Sequence, residues 1–178
     1  MEYSVKIQDY AQTTFETCLA VCLWQFTGDE INQEKELEVM DYALKFSRDH
    51  FTVNHLDYFA KNFDLKINLY LDNKFFLDYT KKANFSEKIT LIQEKINQKL
   101  IDTLISEKPL ILYIDSFVFW KVTHYPHFII VLEKQGNNYK IYDPWEGKTT
   151  LMPIEKILAG VTSLKEHLLF CPQLIKVF

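Results

Sequence analysis

The sequence predicts one α+β domain, residues 1–178, in which N-terminal helices pack on a C-terminal antiparallel β-sheet. Apolar side chains recur mainly at helical spacing up to about residue 106, and after Pro109 they form short runs that are typical of buried strands. A chain in which helices come first and an antiparallel sheet follows is typical of the α+β class. The chain is 48% hydrophobic with four glycines, which indicates one sizeable packed core.

The first half of the chain is predicted to be mostly helical. A buried helix is expected from about Glu16 to Phe26, because threonines precede an apolar run that stops before Gly28. Apolar periodicity predicts the other elements of this half. These are a short strand over Tyr3 to Ile7, helices over Glu34 to Phe46, from Thr52 or Asn54 to Ala60 and from Glu87 to Ser106, and a strand over Lys66 to Leu71.

The second half is predicted to form the sheet. Pro109 to Ile114 and Phe128 to Leu132 are short apolar runs of the kind found in central strands. Gln135 to Asn138 has the composition of a hairpin turn, and Tyr139 to Tyr142 is the returning strand. The remaining expectations are a short helix from Pro153 to Leu158 and one or two strands between His167 and Val177.

Charge and cysteine content exclude several classes of protein. A net charge of −4 and an isoelectric point near 5.7, with Arg48 as the only arginine, argue against nucleic-acid binding. No apolar run is long enough to span a membrane, and the N-terminus has no signal-peptide pattern. Three cysteines cannot all pair, which favours a reducing compartment. We therefore expect a cytoplasmic protein, with export by a non-classical route left open.

Cys18 is the first candidate for chemistry. It lies in the first turn of the predicted buried helix, where unpaired N–H groups and the helix dipole favour negative charge by ~0.3–1 kcal/mol. Because the thiolate is the nucleophilic form of cysteine, this position suits a nucleophile. The alternative is that Cys18 only fills a helix interface, as is expected of Cys22 one turn later.

His127 and Asp143 are the second candidate pair. His127 opens the first strand of the predicted hairpin, and Asp143 closes the strand that returns beside it. A hairpin brings its two open ends together, so these side chains are expected to meet. A carboxylate beside an imidazole fixes its tautomer and orients it as a base for a thiol or hydroxyl nucleophile. The alternative is a partly buried histidine bonded to an acid for structural reasons.

Gln12 completes the candidate set. It precedes Cys18 by a short polar segment that can turn back, so its side-chain amide could aim at the space beside the sulfur. Together with the backbone N–H of Cys18 it would supply two donors for an oxyanion hole.

The order of these residues resembles the double-glycine leader peptidase family. Gln12, Cys18 at a helix start, His127 opening the run HFIIV, and Asp143 followed by Pro144 carry the resemblance, which covers nearly the whole chain. The apolar strand PLILYID upstream of the histidine is similar as well. The members are papain-like cysteine peptidases that process bacteriocin precursors. The resemblance therefore implies a papain-like fold and a peptide or protein substrate, and neither a cofactor nor a metal is expected.

The resemblance also implies a role for each candidate. Cys18 would be the nucleophile, His127 the general base, Asp143 its orienting acid and Gln12 an oxyanion donor. An amide acyl group would pass to Cys18 and then to water. One departure is visible: Thr17-Cys18-Leu19 stands where the family usually has Asp-Cys-Gly. Leucine in place of glycine is expected to narrow the groove, which bears on the double-glycine preference.

Three aromatic residues near the candidate pair are expected to line the substrate cleft. Trp120 and Tyr125 lie in the segment before His127, and Trp145 follows the Asp-Pro pair, where it could shield the His–Asp hydrogen bond from water. Asp115, at the end of a predicted strand, is expected to cap a loop rather than to act as a catalytic acid.

Three other functions remain open at this point. Cys18, Cys22, His124 and His127 could be imagined as a zinc set, although histidines three apart on extended chain point to opposite faces. The same triad would also serve a transglutaminase-like, deamidating or acyltransferase enzyme, because a fold and a triad do not fix the acceptor. A non-catalytic peptide-binding module is the third alternative.

Overall fold

The structure, a computed structural model, describes residues 5–46 and 48–178. Helices and strands alternate through most of this part of the chain. In order they are α1 (Cys18–Trp24), α2 (Gln33–Leu44), α3 (Phe51–Asn62), β1 (Ile67–Leu71), α4 (Lys74–Thr80), β2 (Ile89–Gln93), α5 (Gln98–Ile105), β3 (Leu110–Asp115), α6 (Phe117–Trp120), β4 (Pro126–Gln135), β5 (Asn138–Asp143), β6 (Lys148–Pro153), α7 (Ile154–His167) and β7 (Gln173–Val177). None of the helices within the described ranges is long and apolar enough to cross a membrane.

The strands form one seven-stranded sheet with the order β2-β1-β7-β3-β4-β5-β6. Neighbouring strands are antiparallel, except that β1 and β2 run parallel. The most C-terminal strand, β7, is the third strand from the β2 edge and pairs with both β1 and β3. The α+β fold expected from the sequence is therefore confirmed, and β1 and β2 extend the sheet with strands from the first half of the chain.

Both faces of the sheet are covered. Side chains alternate along a strand, so Ile111 on β3 joins the core with α1, α2 and α3, whereas Leu110 and Leu112 join the core with α5 and α7. The expected packing of N-terminal helices on the sheet is confirmed for one face. The shortest of these, α1, is buried at all seven of its residues and lies against β4.

The helix predicted from Glu87 to Ser106 is wrong. Residues Ile89–Gln93 form β2, which continues the sheet beside β1, and the helix α5 begins only at Gln98. Ile89, Ile92 and Ile96 fit helical spacing, but β-branched residues also favour strands, and pairing with β1 decides the outcome. The Asn97 side chain accepts from Leu100 N at 3.0 Å and starts the new helix there.

The prediction of a strand over Tyr3 to Ile7 is wrong for the residues that the structure describes. Tyr3 and Ser4 lie outside the described residues, and residues 5–7 form no strand. The next residue, Gln8, has its backbone bonded to the Gln25 side chain instead, with Gln8 N to Oε1 at 2.8 Å and Nε2 to Gln8 O at 3.1 Å. Satisfied this way, the backbone needs no strand partner.

Three more elements differ from the sequence prediction. The short helix expected over Pro153 to Leu158 extends as α7 to His167. Helix α4 forms in residues 73–85, where the aromatic and basic composition gave no clear assignment, and Asn73 caps it. Strand β6 has no apolar pattern because it is an exposed edge strand, and edge strands bury little that a pattern could report.

The turn after β5 joins the N-terminal segment to the sheet. Gln12 N donates to Pro144 O at 2.7 Å, and the Tyr142 hydroxyl donates to Tyr10 O. Gly147 has φ +67° and lies so close to the N-terminal segment that a Cβ would be 2.6 Å from Ala11 N. Only glycine fits this approach without moving the backbone. The turn thus fixes where the segment leading to α1 must run.

We expect Gly147→Ala to lower the free energy of unfolding by about 2–5 kcal/mol, because a positive φ and a backbone clash are both penalised. Gly136→Ala is the matched control: Gly136 has φ +60° but nothing within 4 Å of an added Cβ. Its cost should stay at about 1–2 kcal/mol. Urea unfolding of both variants measures the difference, and equal losses would contradict the close approach at Gly147.

Candidate active site

Cys18 is the first residue of α1 and is only 5% exposed. Thr17 occupies the N-cap position but makes no side-chain cap bond, since its hydroxyl contacts Thr14 O and Glu36 instead. The prediction that Cys18 lies in the first turn of a buried helix is confirmed. At this position the free N–H groups of the helix end favour a negatively charged sulfur.

His127 and Asp143 meet at the open end of the β4–β5 hairpin, as the sequence predicts. His127 Nε2 lies 2.8 Å from Asp143 Oδ1, and both side chains are buried. The same carboxylate oxygen accepts from Trp145 N at 2.9 Å, so the turn after β5 fixes its orientation. Strand pairing brings the two residues together but does not fix the rotation of the Asp143 carboxylate. The bond from Trp145 N fixes that rotation, with Oδ1 directed at the imidazole.

Cys18 also lies close enough to His127 to act on its imidazole and raise its pKa. Because Nε2 faces Asp143, Nδ1 is the ring nitrogen left for the thiol. Burial acts to lower the pKa of His127, but the hydrogen bonds and charges of Asp143 and Cys18 outweigh it and raise the pKa from 6.5 to about 9. The imidazole is thus stabilised in its protonated form between a thiol and a carboxylate.

Gln12 lies in the segment that approaches α1 from the turn after β5. Its backbone is held by Pro144 O, and its Nε2 donates to Thr14 O at 2.7 Å. Its Oε1 is buried and has no hydrogen-bond partner among the residues that the structure describes. Nε2 also donates to Phe15 O at 3.4 Å, so both hydrogens of the primary amide have an acceptor in this segment, and the bond to Phe15 is the longer of the two.

The three predicted cleft residues belong to one group of aromatic rings around the candidate pair. The Trp120 ring lies 5.5 Å from the His127 ring and 6.0 Å from that of Trp145. The centre of the Phe15 ring lies 4.7 Å from that of Trp145 and 5.2 Å from that of Tyr125. The sequence analysis did not single out Phe15, whose only signal in the sequence is its position three residues before Cys18.

A groove leads away from Cys18. A cavity of about 260 Å³ is lined by Cys18, Phe15 and Tyr125, and it adjoins a second cavity of about 440 Å³. Four residues line both: Arg48, Phe51, Tyr113 and Phe170. They come from distant parts of the chain, so the sequence predicts Tyr125 as a cleft residue but not these four. Most of its walls are apolar, with one guanidinium at the junction.

Leu19 does not narrow this groove. Its side chain is fully buried in the core beneath Cys18, so the expectation that leucine at this position would obstruct the groove is wrong. A residue one step further along a helix points about 100° away, here from the cleft into the core.

Asp115 organises the loop before β4, as expected of a loop cap. Its Oδ1 accepts from Phe117 N at 3.0 Å and Tyr125 N at 3.2 Å, and its Oδ2 lies 2.5 Å from His124 Nδ1. His124 also stacks on Phe117 at 4.3 Å and on His167 at 4.4 Å, so its ring contacts lie outside the imagined zinc set. In the described part of the chain, no three His, Cys, Asp or Glu side chains converge to hold a metal ion.

Solved structures share this fold. No family model and no curated protein matches the sequence. A double glycine motif protease from an AMS/PCAT transporter, solved in complex with the leader peptide, is 15% identical over 99% of this chain and 94% of its own, with a TM-score of 0.53. The peptidase domain of Streptococcus ComA, a bi-functional ABC transporter involved in a quorum sensing pathway, is 14% identical over 97% and 98%, with a TM-score of 0.51.

The chain has the papain-like fold of these peptidase domains. The resemblance drawn from Gln12, Cys18, His127 and Asp143 is thereby confirmed for the fold. Both likenesses extend over nearly the full length of each chain, so they concern the whole described domain and not a shared fragment.

We expect Asp143→Asn to lower the pKa of His127 from about 9, because the variant removes the carboxylate charge that stabilises the imidazolium. NMR titration of the imidazole measures it. Since the folded pKa lies above the 6.5 of the free side chain, protonated His127 stabilises the fold fully below pH 6.5 and loses this contribution as pH rises through about 9. The wild-type free energy of unfolding should therefore fall across that range more than that of Asp143→Asn. A wild-type His127 that titrates below pH 7 would contradict the assignment.

Proposed function

We propose that this protein is a cysteine peptidase that hydrolyses an amide bond of a peptide or protein. The observation that carries the proposal is the placement of His127 between the Asp143 carboxylate and the Cys18 side chain, at the head of the groove. Thiol acyl transfer requires an imidazole that a carboxylate orients and that acts on a neighbouring thiol. The fold shared with two peptidase domains supports the same conclusion.

In the first half of the reaction, Cys18 and His127 form a thiolate and an imidazolium. The sulfur attacks the carbonyl carbon, and the carbonyl oxygen gains negative charge. Gln12 Nε2 and the backbone N–H of Cys18 are the proposed donors to that oxygen, each worth ~10²–10³ in rate by comparison with other oxyanion holes. The imidazolium then gives its proton to the leaving nitrogen, and a thioester remains on Cys18.

In the second half, water replaces the amine. His127 takes a proton from the water, which attacks the thioester carbon and releases the new carboxylic acid and the Cys18 thiol. Asp143 stabilises the imidazolium in both halves and keeps the ring oriented through the 2.8 Å bond. Trp145 N fixes the Asp143 carboxylate, so the proton carrier has little rotational freedom.

The substrate is proposed to be a peptide that lies along the groove with its scissile bond over Cys18. Mostly apolar walls beyond Cys18 would take apolar side chains upstream of that bond, and the aromatic rings around Cys18 favour small residues beside it. The neighbouring double glycine motif protease was solved with a leader peptide. Because Leu19 is buried, it does not argue against cleavage after two glycines. Three unpaired cysteines suit a reducing compartment, and we propose the cytoplasm.

The alkylation rate of each cysteine against pH is the first test. We expect Cys18 to react with iodoacetamide well below pH 8 and at least tenfold faster than in His127→Ala, because the imidazolium stabilises the thiolate. Cys22 and Cys171 are internal controls, since burial raises the pKa of both thiols. Mass spectrometry resolves the three sites. If Cys18 reacts no faster than the other two, the nucleophile assignment fails and a non-catalytic peptide-binding module becomes the better proposal.

Hydrolysis is tested with a peptide ending in Gly-Gly-aminomethylcoumarin. Release of the free peptide acid supports a peptidase. Release of coumarin only with an added amine, with the peptide joined to it, would instead identify a transferase on the same triad. Cys18→Ala removes the nucleophile and should abolish either product.

Trp120→Ala should lower kcat/KM for this peptide by about tenfold, because ring contacts beside His127 are worth ~0.5–1.5 kcal/mol beyond their buried area. Trp120→Phe should retain most of the activity. Val122→Ala is the control, since Val122 is 82% exposed in the same segment. Unchanged kinetics in Trp120→Ala would exclude this ring from the cleft.

A further inference from the structure

Glu36 is a fully buried carboxylate on α2, outside the candidate triad. Its Oε1 accepts from Thr13 N at 2.8 Å and from the Thr17 hydroxyl, and its Oε2 accepts from the Tyr10 hydroxyl at 2.7 Å. All three donors belong to the segment Tyr10–Thr17, which leads directly to Cys18. One side chain of α2 thus binds that segment at its beginning, middle and end.

A buried carboxylate is expensive unless donors and a favourable field replace its hydration. Glu36 has three donors and lies in the first turn of α2, where the helix dipole favours negative charge. Among the described residues no cationic side chain pairs with it. Burial and the hydrogen bond to Glu36 raise the pKa of Tyr10 well above its ordinary value, so Tyr10 stays a donor at every working pH. An ion held by donors of one segment serves mainly to fix that segment.

Glu36 is connected to Gln12 through Thr14. Thr14 lies in the sequence between Thr13 and Thr17, which both donate hydrogen bonds to Glu36. The carbonyl oxygen of Thr14 in turn accepts a hydrogen bond from Gln12 Nε2 at 2.7 Å. On the opposite side, Gln12 N is held by Pro144 O. The Gln12 side-chain amide is therefore held by the segment that Glu36 binds, and the Gln12 backbone is held by the turn after β5.

We propose that Glu36 is a positioning residue for the oxyanion hole: it holds the segment Tyr10–Thr17 so that the Gln12 amide faces the carbonyl oxygen of a substrate bound to Cys18. This inference rests on the proposed peptidase function and goes beyond it, because Glu36 touches neither substrate nor reacting atoms. Displacement of a catalytic group by about 1 Å can cost about a hundredfold in rate.

The test compares an oxyanion-dependent with an oxyanion-independent reaction of Cys18. Hydrolysis of the Gly-Gly-aminomethylcoumarin peptide and binding of the corresponding peptide aldehyde both place the oxygen of a tetrahedral carbon in the hole. With the aldehyde, the Cys18 sulfur bonds to the carbonyl carbon, and the oxygen takes the proton that the thiol gave up, which forms a hemithioacetal. Alkylation by iodoacetamide displaces iodide at a saturated carbon and forms no oxyanion.

We expect Glu36→Ala to lower kcat/KM and to weaken aldehyde inhibition by a similar factor, about 10- to 100-fold. The Cys18 alkylation rate should change less than about threefold, because nucleophile and base keep their contacts. Glu36→Gln keeps an acceptor for Thr13 N and the Thr17 hydroxyl, and it should restore most of the activity. Glu34→Ala, an exposed acid in the same first turn of α2, is the matched control and should behave as wild type in all three assays.

A double-variant comparison separates positioning from general destabilisation. If Glu36 acts through Gln12, adding Glu36→Ala to Gln12→Ala should reduce kcat/KM little further. Additive losses, or an equal loss of alkylation and hydrolysis, would overturn the inference.

If Glu36→Ala does not fold, Tyr10→Phe removes one donor and leaves the carboxylate two. Tyr10→Phe should also weaken aldehyde inhibition while leaving the alkylation rate unchanged, but by a smaller factor than Glu36→Ala. If aldehyde inhibition and alkylation both stay at the wild-type level in this folded variant, the inference is also overturned. A wild-type protein with an unreactive Cys18 would remove the proposed function together with this inference. A wild type that hydrolyses the peptide, with Glu36→Ala unchanged, would remove only the inference.

Discussion

The contact of Gly147 with Ala11 is the constraint on which the candidate site depends. At this contact the turn after Asp143 packs directly against the segment that contains Gln12. A hydrogen bond from Gln12 N to Pro144 O also connects the two. The acid that orients His127 and the proposed oxyanion donor therefore cannot shift independently. One close backbone approach thus sets the distance between these two parts of the candidate site.

The rigidity of α1 supplies the other half of the geometry. Every residue of this short helix is buried, so it is held by the sheet and by α3 rather than by its own hydrogen bonds. Cys18 is the point where this buried element reaches the cleft. The same packing directs Leu19 into the core, which is why the residue after Cys18 leaves the groove unobstructed. Core packing thus places the Cys18 sulfur, and the β4–β5 hairpin places the His127–Asp143 pair.

The sequence predicts the parts of the site that depend on local geometry. His127 and Asp143 pair because a hairpin returns to its starting end, and Cys18 begins a helix because a polar segment turns into an apolar run. Glu36 and the groove escaped prediction, since their contacts join segments whose approach only tertiary packing decides. β2 was mistaken for helix because its isoleucines fit both periods, and only pairing with β1 distinguishes them.

The position of β7 between β1 and β3 has a consequence for synthesis of the protein on the ribosome. β2 and β1 contact the larger group of strands β3 to β6 through β7, which pairs with β1 on one side and β3 on the other. Until Gln173–Val177 has left the exit tunnel, the sheet exists as two separate parts with open edges. Pairing of β1 with a strand about a hundred residues later makes this closure a slow, non-local event. A nascent chain therefore exposes the unpaired edges of β1 and β3 although all of its candidate site residues, from Gln12 to Trp145, have already been synthesised.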